Sequence, residues 1–225
     1  MKAAILLDAL GTLVALEPPG PLLRAELLER FGIRITEEEA GRAISAEIGY
    51  YRAHLDEGRD DSSLRVLRTR CAEVLRSALP SSPDLDRVDS QALTEALLAA
   101  LRFTPFPDVV GSLAAARGRG QRLVVVSNWD ASLHHVLARL GLAALLDGIV
   151  TSAEAGARKP SPAIFERALN VAGVGPHDAV HVGDSIDEDV AGAAAAGIDA
   201  ILVLRDGRGA PAGVRTIASL AELVA

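Results

Sequence analysis

Ala3-Ala4-Ile5-Leu6-Leu7-Asp8-Ala9-Leu10-Gly11-Thr12-Leu13-Val14 begins as an unbroken apolar run and changes character at Asp8. Residues 3–7 carry no polar side chain, so they read as a strand buried on both faces rather than a half-exposed one. Such strands belong to parallel sheets, and the carboxyl end of a parallel strand is where open α/β sheets place their ligands. Asp8 stands at that end and runs directly into a glycine-containing turn. The N–H groups of Leu10, Gly11 and Thr12 are placed to face an anion held or attacked by Asp8. The plainer reading is an Asp that only caps a turn.

Composition narrows the field. The chain has 225 residues, of which 49% are hydrophobic, enough for one α/β core carrying a smaller insert and with no sign of disorder. A net charge of −7 argues against nucleic acid or an anionic membrane surface as the main partner. The single Cys71 excludes an internal disulfide, and no Cys/His metal cluster is present; a cytoplasmic setting is expected. The N-terminal apolar run is cut short by Asp8, unlike a signal peptide. No apolar run reaches the ~18 residues of a membrane span. Of 23 basic residues only Lys2 and Lys159 are lysines, so a lysine in a motif-like setting stands out from 21 arginines.

Working outward from Val14, Pro18-Pro19-Gly20-Pro21 forms a break, and the pattern is then helical to about Leu101. A helix is expected from Pro21 to Phe31, closed by Gly32. Thr36 and Glu39 form a capping box for a second helix running to about Glu57. Asp60-Asp61-Ser62 opens a third, which Ser81-Ser82-Pro83 closes, and Asp89 or Ser90 opens a fourth. Roughly 85 residues without a clear strand read as a helical insert. From Phe103 on, helices and strands alternate. Strands are expected at 121–126, 148–151, 179–182 and 200–204, with helices at 108–117, 131–140 and 162–172 and from Asp184 to Ala196. The series gives a Rossmann-like, doubly wound parallel sheet. The expected organisation is a core of residues 1–14 and 102–225 with an inserted α-helical domain of residues 15–101.

Polar groups gather at the strand ends: Asp8, Ser127 with Asn128, and Asp184. Lys159 lies in a loop before a helix. In a doubly wound sheet these ends share one rim. The rim would offer a carboxylate nucleophile, a hydroxyl and an ammonium for an anion, and a second carboxylate suited to Mg2+.

Taken together, these residues resemble the haloacid dehalogenase superfamily. Asp8-x-x-Gly11-Thr12-Leu13 is similar to its first motif, Val126-Ser127-Asn128 to its second, Arg158-Lys159-Pro160 to its third, and Gly183-Asp184-(x)4-Asp189 to its fourth. The helical insert sits where that family carries a C1-type cap. The resemblance implies an enzyme in which Asp8 forms a covalent aspartyl intermediate that water hydrolyses. It implies Mg2+ held by Asp8, Asp184 and the backbone carbonyl of Leu10, with Asp189 supporting the metal from behind. It further implies that Gly11, Ser127, Asn128 and Lys159 bind the phosphoryl group and that Thr12 orders the first loop.

Each residue also has an ordinary reading. Ser127 and Asn128 suit the end of a strand, and Asp187 and Glu188 suit the first turn of a helix through its dipole. Trp129 and His181 read as core, the latter hydrogen-bonded; His134 and His135 read as surface, and Cys71 as an inert buried thiol. The chain departs from the family's phosphatases at Leu10, where they carry an acid/base Asp. The expected insert has no lysine, which excludes the Schiff-base branch of the family. The favoured expectation is an Mg2+-dependent phosphatase acting on a small phosphorylated metabolite, as a monomer or homodimer. A 2-haloacid dehalogenase is the alternative, and a phosphate- or partner-binding protein without turnover is the third.

Overall fold

A computed structural model describes residues 2–205, 207, 209 and 212–223. In chain order its elements begin with β1 (Ala4–Leu7), β2 (Val14–Leu16), α1 (Pro19–Phe31), α2 (Glu37–His54), α3 (Asp61–Ala78), α4 (Pro83–Asp86) and α5 (Ser90–Ala100). There follow β3 (Phe103–Pro105), α6 (Val109–Gly118), β4 (Arg122–Ser127), α7 (Leu133–Arg139), β5 (Gly148–Thr151), α8 (Ser152–Ala155) and α9 (Pro162–Ala172). The last are β6 (Ala179–Gly183), a π-helical turn (Ile186–Val190), α10 (Ala191–Ala195), β7 (Asp199–Val203) and β8 (Thr216–Ile217).

The described residues divide into two compact units, Leu16–Phe103 and the remainder on either side of it. The larger unit is an α/β layer structure around a six-stranded sheet of order β5-β4-β1-β6-β7-β8. Every neighbouring pair in it is parallel. The chain builds outward from β1 through β4 to β5, then returns to the other side of β1 with β6. That reversal makes the carboxyl end of β1 the topological switch point. Strand alternation sends Ala4, Leu6, Val124 and Val126 into one core with Ile164, Phe165 and Ala168 of α9. Ile5, Leu7, Leu123 and Val125 face the other way and are buried too, so both faces of the sheet are covered.

The smaller unit is helical. Its core joins Leu23 and Leu27 of α1, Ile44 of α2, Leu67 and Leu75 of α3 and Leu93 of α5. Thr36 and Glu39 form the capping box of α2 reciprocally, and Asp60 with Ser63 does the same for α3. Gly32 closes α1 in the left-handed region (φ 70°).

The structure corrects several local expectations. Ser82-Pro83 closes no helix; it opens α4, with Ser82 Oγ accepting from the Leu85 N–H at 3.2 Å. A Ser-Pro pair serves as readily for an N-cap and first turn as for a break. β2 and β3 make a two-stranded sheet of their own. The helix expected from Asp184 is a π turn followed by one short α-helix. The strand expected at 200–204 lies one residue earlier, at Asp199–Val203. Among the described residues no helix is long and apolar enough to cross a membrane.

Candidate active site

Asp8 leaves β1 at the switch point with its side chain almost fully buried. Ser127, the last residue of the neighbouring β4, donates its hydroxyl to Asp8 Oδ1 at 3.0 Å. Lys159 Nζ donates to the same oxygen at 2.6 Å. Asp8 Oδ2 takes part in no hydrogen bond with a described residue. One carboxylate oxygen is thus tied down by two donors while the other keeps its lone pairs.

Lys159 comes from the loop between α8 and α9 and is held at both ends. Asn128 Oδ1 accepts from the Lys159 N–H at 2.8 Å, and Asn128 Nδ2 donates to the Lys159 carbonyl at 3.1 Å. Asn128 Nδ2 also donates to Glu188 Oε2 at 3.0 Å. The Asn128 side chain, expected on the anion, is therefore engaged with the lysine's backbone. At its other end, Lys159 Nζ donates to Asp189 Oδ1 at 2.6 Å. That same oxygen lies 2.8 Å from His181 Nε2, and Asp189 Oδ2 accepts from the Ser185 N–H at 2.9 Å.

The π turn puts Asp189 in this position. The Asp189 and Val190 N–H groups both donate to the Ser185 carbonyl at 3.1 Å, and the wider loop turns Asp189 inward to a buried location. Two glycines give the carboxylates room. Gly11 has φ +85°, and a Cβ there would stand 2.1 Å from Asp184 Oδ2. A Cβ on Gly183 would stand 2.1 Å from Asp189 Cγ.

Thr12 lies behind the site. It is fully buried, and its hydroxyl has no partner among the described residues. Its carbonyl accepts from Arg205 Nη2 at 2.7 Å, while Arg205 Nη1 grips both oxygens of Asp108 at 3.0 and 3.2 Å. Thr12 thus ties this loop to Arg205 through its main chain and not through its hydroxyl, and the Leu13 and Val14 N–H groups, both donating to the Ala9 carbonyl, hold the rest of it. Leu10, by contrast, is 38% exposed. The sequence places His181 in the core with a hydrogen bond, as found, but does not reveal its partner Asp189, nor the parts played by Glu188 and Arg205. The one usable signal was a histidine inside an otherwise apolar strand, two residues before Gly183.

The charges are unevenly balanced. Burial pushes the Asp8 carboxyl up to about 6 against the pull of Lys159, with Asp189 and Asp184 adding to the rise. Burial and Asp189 raise Asp184 as well. For Asp189, burial opposes the charge, but Lys159 and His181 outweigh it and hold the carboxyl well below the usual range. Burial likewise opposes the Lys159 charge, and Asp8 and Asp189 overcome it, so the ammonium is held above the ordinary lysine range.

Three carboxylates around one ammonium leave negative charge that a divalent cation would relieve. Asp8, Asp184 and Asp189 each offer an oxygen within 4.8 Å of the others. A small set of hard oxygen donors, one of them exposed, fits Mg2+, which keeps several waters when bound. Asp189 already has both oxygens engaged, so Asp8 and Asp184 are the freer donors.

Fold and site together define an open, parallel-sheet α/β protein with an acidic, lysine-containing site at its switch point. The chain belongs to the haloacid dehalogenase-like hydrolases, whose family model matches residues 2–197. It is 44% identical over 92 residues to haloacid dehalogenase-like hydrolase domain-containing protein 3 of Bos taurus, covering 41% of this chain and 37% of that protein. Over 105 residues it is 41% identical to a glyceraldehyde 3-phosphate phosphatase of Methanothermobacter thermautotrophicus, covering 44% of each. The matches thus span less than half the length of these curated relatives. The structure of a 2-haloacid dehalogenase from Pseudomonas syringae pv. Tomato DC3000 superposes with a TM-score of 0.69 at 26% identity, covering 99% of this chain and 96% of that one.

Proposed function

We propose that the chain is an Mg2+-dependent phosphatase-type hydrolase of a small phosphorylated metabolite, with Asp8 as nucleophile. The observation that carries this reading is the divided role of the Asp8 carboxylate beside a second strand-end carboxylate, Asp184. With Oδ1 fixed by Ser127 and Lys159, Oδ2 is free to attack phosphorus. The bond from phosphorus to the leaving oxygen breaks, an aspartyl phosphate forms on Asp8, and water then cleaves it to release phosphate. Lys159 and Ser127 offset charge on the equatorial oxygens. When bound by Asp8, Asp184 and the Leu10 carbonyl, Mg2+ would supply further neutralisation of that charge. Asp189 supports the site by fixing Lys159, Asn128 positions the same lysine through its backbone, and Gly11 keeps the turn close to Asp184. The helical unit is proposed as the cap that selects the substrate. The similarity to a glyceraldehyde 3-phosphate phosphatase supports the phosphatase reading.

One observation favours a dehalogenase as the second reading. Leu10 puts an exposed apolar side chain where a proton donor would serve a phosphatase, and the chain is also similar to a 2-haloacid dehalogenase. The test is a panel of phosphorylated metabolites and 2-haloacids, assayed with Mg2+ and with chelator. Phosphate release that requires Mg2+ supports the first reading. Halide release that persists in chelator overturns it in favour of the second, and no turnover on either panel overturns both.

A further inference from the structure

We propose that His181 is a positioning residue that holds Asp189 on Lys159, and so sets the ammonium against the nucleophile. The inference rests on the hydrolase reading given above. It stands on a chain of short contacts through the interior of the larger unit: His181 Nε2 to Asp189 Oδ1 at 2.8 Å, that oxygen to Lys159 Nζ at 2.6 Å, and Lys159 Nζ to Asp8 Oδ1 at 2.6 Å. All four residues are buried. A carboxylate can only accept from the ring, so Nε2 carries the hydrogen. Nδ1 is buried without a partner among the described residues.

The ring itself has little freedom. It lies inside β6, and the Phe165 ring meets it edge-on with centroids 5.0 Å apart. Asp189 is clamped from two sides, with Oδ2 on the Ser185 N–H and Oδ1 shared between Lys159 and His181. Without the ring N–H, Oδ1 keeps only the ammonium, and the carboxylate can swing and draw Lys159 off Asp8. Buried partners that orient a reactive group commonly contribute about 10–100-fold to activity when lost.

The test compares His181→Leu, which removes the donor, with His181→Gln, whose amide nitrogen reaches near the Nε2 position. The substrate is p-nitrophenyl phosphate with Mg2+, and folding is followed by circular dichroism. His181→Leu is expected to lower kcat about 10-fold or more with KM little changed, and His181→Gln to restore most of it. In an Asp189→Asn background, His181→Leu should add little, because its effect runs through Asp189. A purely structural role would give additive losses. The 15N signal of the Lys159 ammonium supplies a readout independent of turnover. It should be resolved and protected in the wild type and in His181→Gln, and lost in His181→Leu. An unchanged ammonium signal in a folded His181→Leu protein overturns the proposal whatever the activity. Absence of wild-type hydrolysis of this ester overturns the phosphatase reading alone and leaves the ammonium signal to decide this one.

Discussion

Lys159 Nζ and Asp8 Oδ1 lie 2.6 Å apart although 151 residues separate them in sequence, and both are buried. The pair divides the Asp8 carboxylate, the proposed nucleophile, into a restrained oxygen and a free one. Asp8→Asn keeps a side chain of the same shape but removes the negative charge. Turnover should fall by at least ~10³-fold with the fold retained. Steady-state kinetics with a circular dichroism control measure this, and a variant keeping a tenth of the activity would remove Asp8 from the mechanism.

Asp184 is held near two other carboxylates and is exposed. Asp184→Asn relieves that repulsion, so in chelator the variant should melt at a higher temperature than the wild type. Added Mg2+ should raise the wild-type melting temperature, by ~2.7 kcal/mol of stability at 100 times its Kd, and leave the variant nearly unmoved. Equal stabilisation of the two by Mg2+ would place the metal elsewhere.

Leu10 is the third test. General acid catalysis contributes about 10²–10⁴-fold, so its absence should make the wild type prefer aryl and acyl phosphates to alkyl ones. Because Leu10 is 38% exposed, an Asp there escapes most of the burial cost of a carboxylate. Leu10→Asp should raise alkyl phosphate turnover more than aryl. Equal wild-type rates on alkyl and aryl esters would mean that another group supplies the proton.

How much of this was legible in the sequence follows from how local each signal is. Asp8 and Asp184 announced themselves because an apolar run ends abruptly in a carboxylate followed or preceded by glycine. Lys159 was visible through the scarcity of lysine. The capping boxes of α2 and α3 are short-range chemistry and read directly. By contrast β2, β3 and β8 have two or three residues each and exist through pairing with distant partners. The π turn was invisible for a related reason. Nothing between Ser185 and Val190 asks for a widened loop; Lys159, 30 residues before Asp189, and His181, eight before it on β6, hold Asp189 inward. Glu188 read as an ordinary first-turn acid because its partner, Asn128, is 60 residues away.

In the helical unit, Glu47 of α2 is 3% exposed, and burial pushes its carboxyl from 4.5 up to about 7, with a hydrogen bond to Cys71 pulling the other way. The folded form therefore favours the protonated acid. Its contribution to stability is full below about pH 4.5 and is lost as pH rises through about 7. Above that, the buried charge should cost on the order of 3 kcal/mol. Glu47→Gln should be more stable than the wild type at pH 8 and converge with it below pH 5, as read by denaturant titration at the two pH values. A constant difference across that range would show that Glu47 does not titrate with folding.

The grip of Arg205 on Thr12 separates two boundaries that are easily taken for one. A fragment cut after β7, at Val203, would keep every residue from Asp8 to Asp189 that the proposed chemistry requires. It would nonetheless lose the guanidinium that anchors the first loop, and would leave the Asp108 carboxylate without its ion pair. The shortest chain that carries all the reactive groups is therefore shorter than the shortest chain that holds them in place, and anyone trimming this protein should count from Arg205.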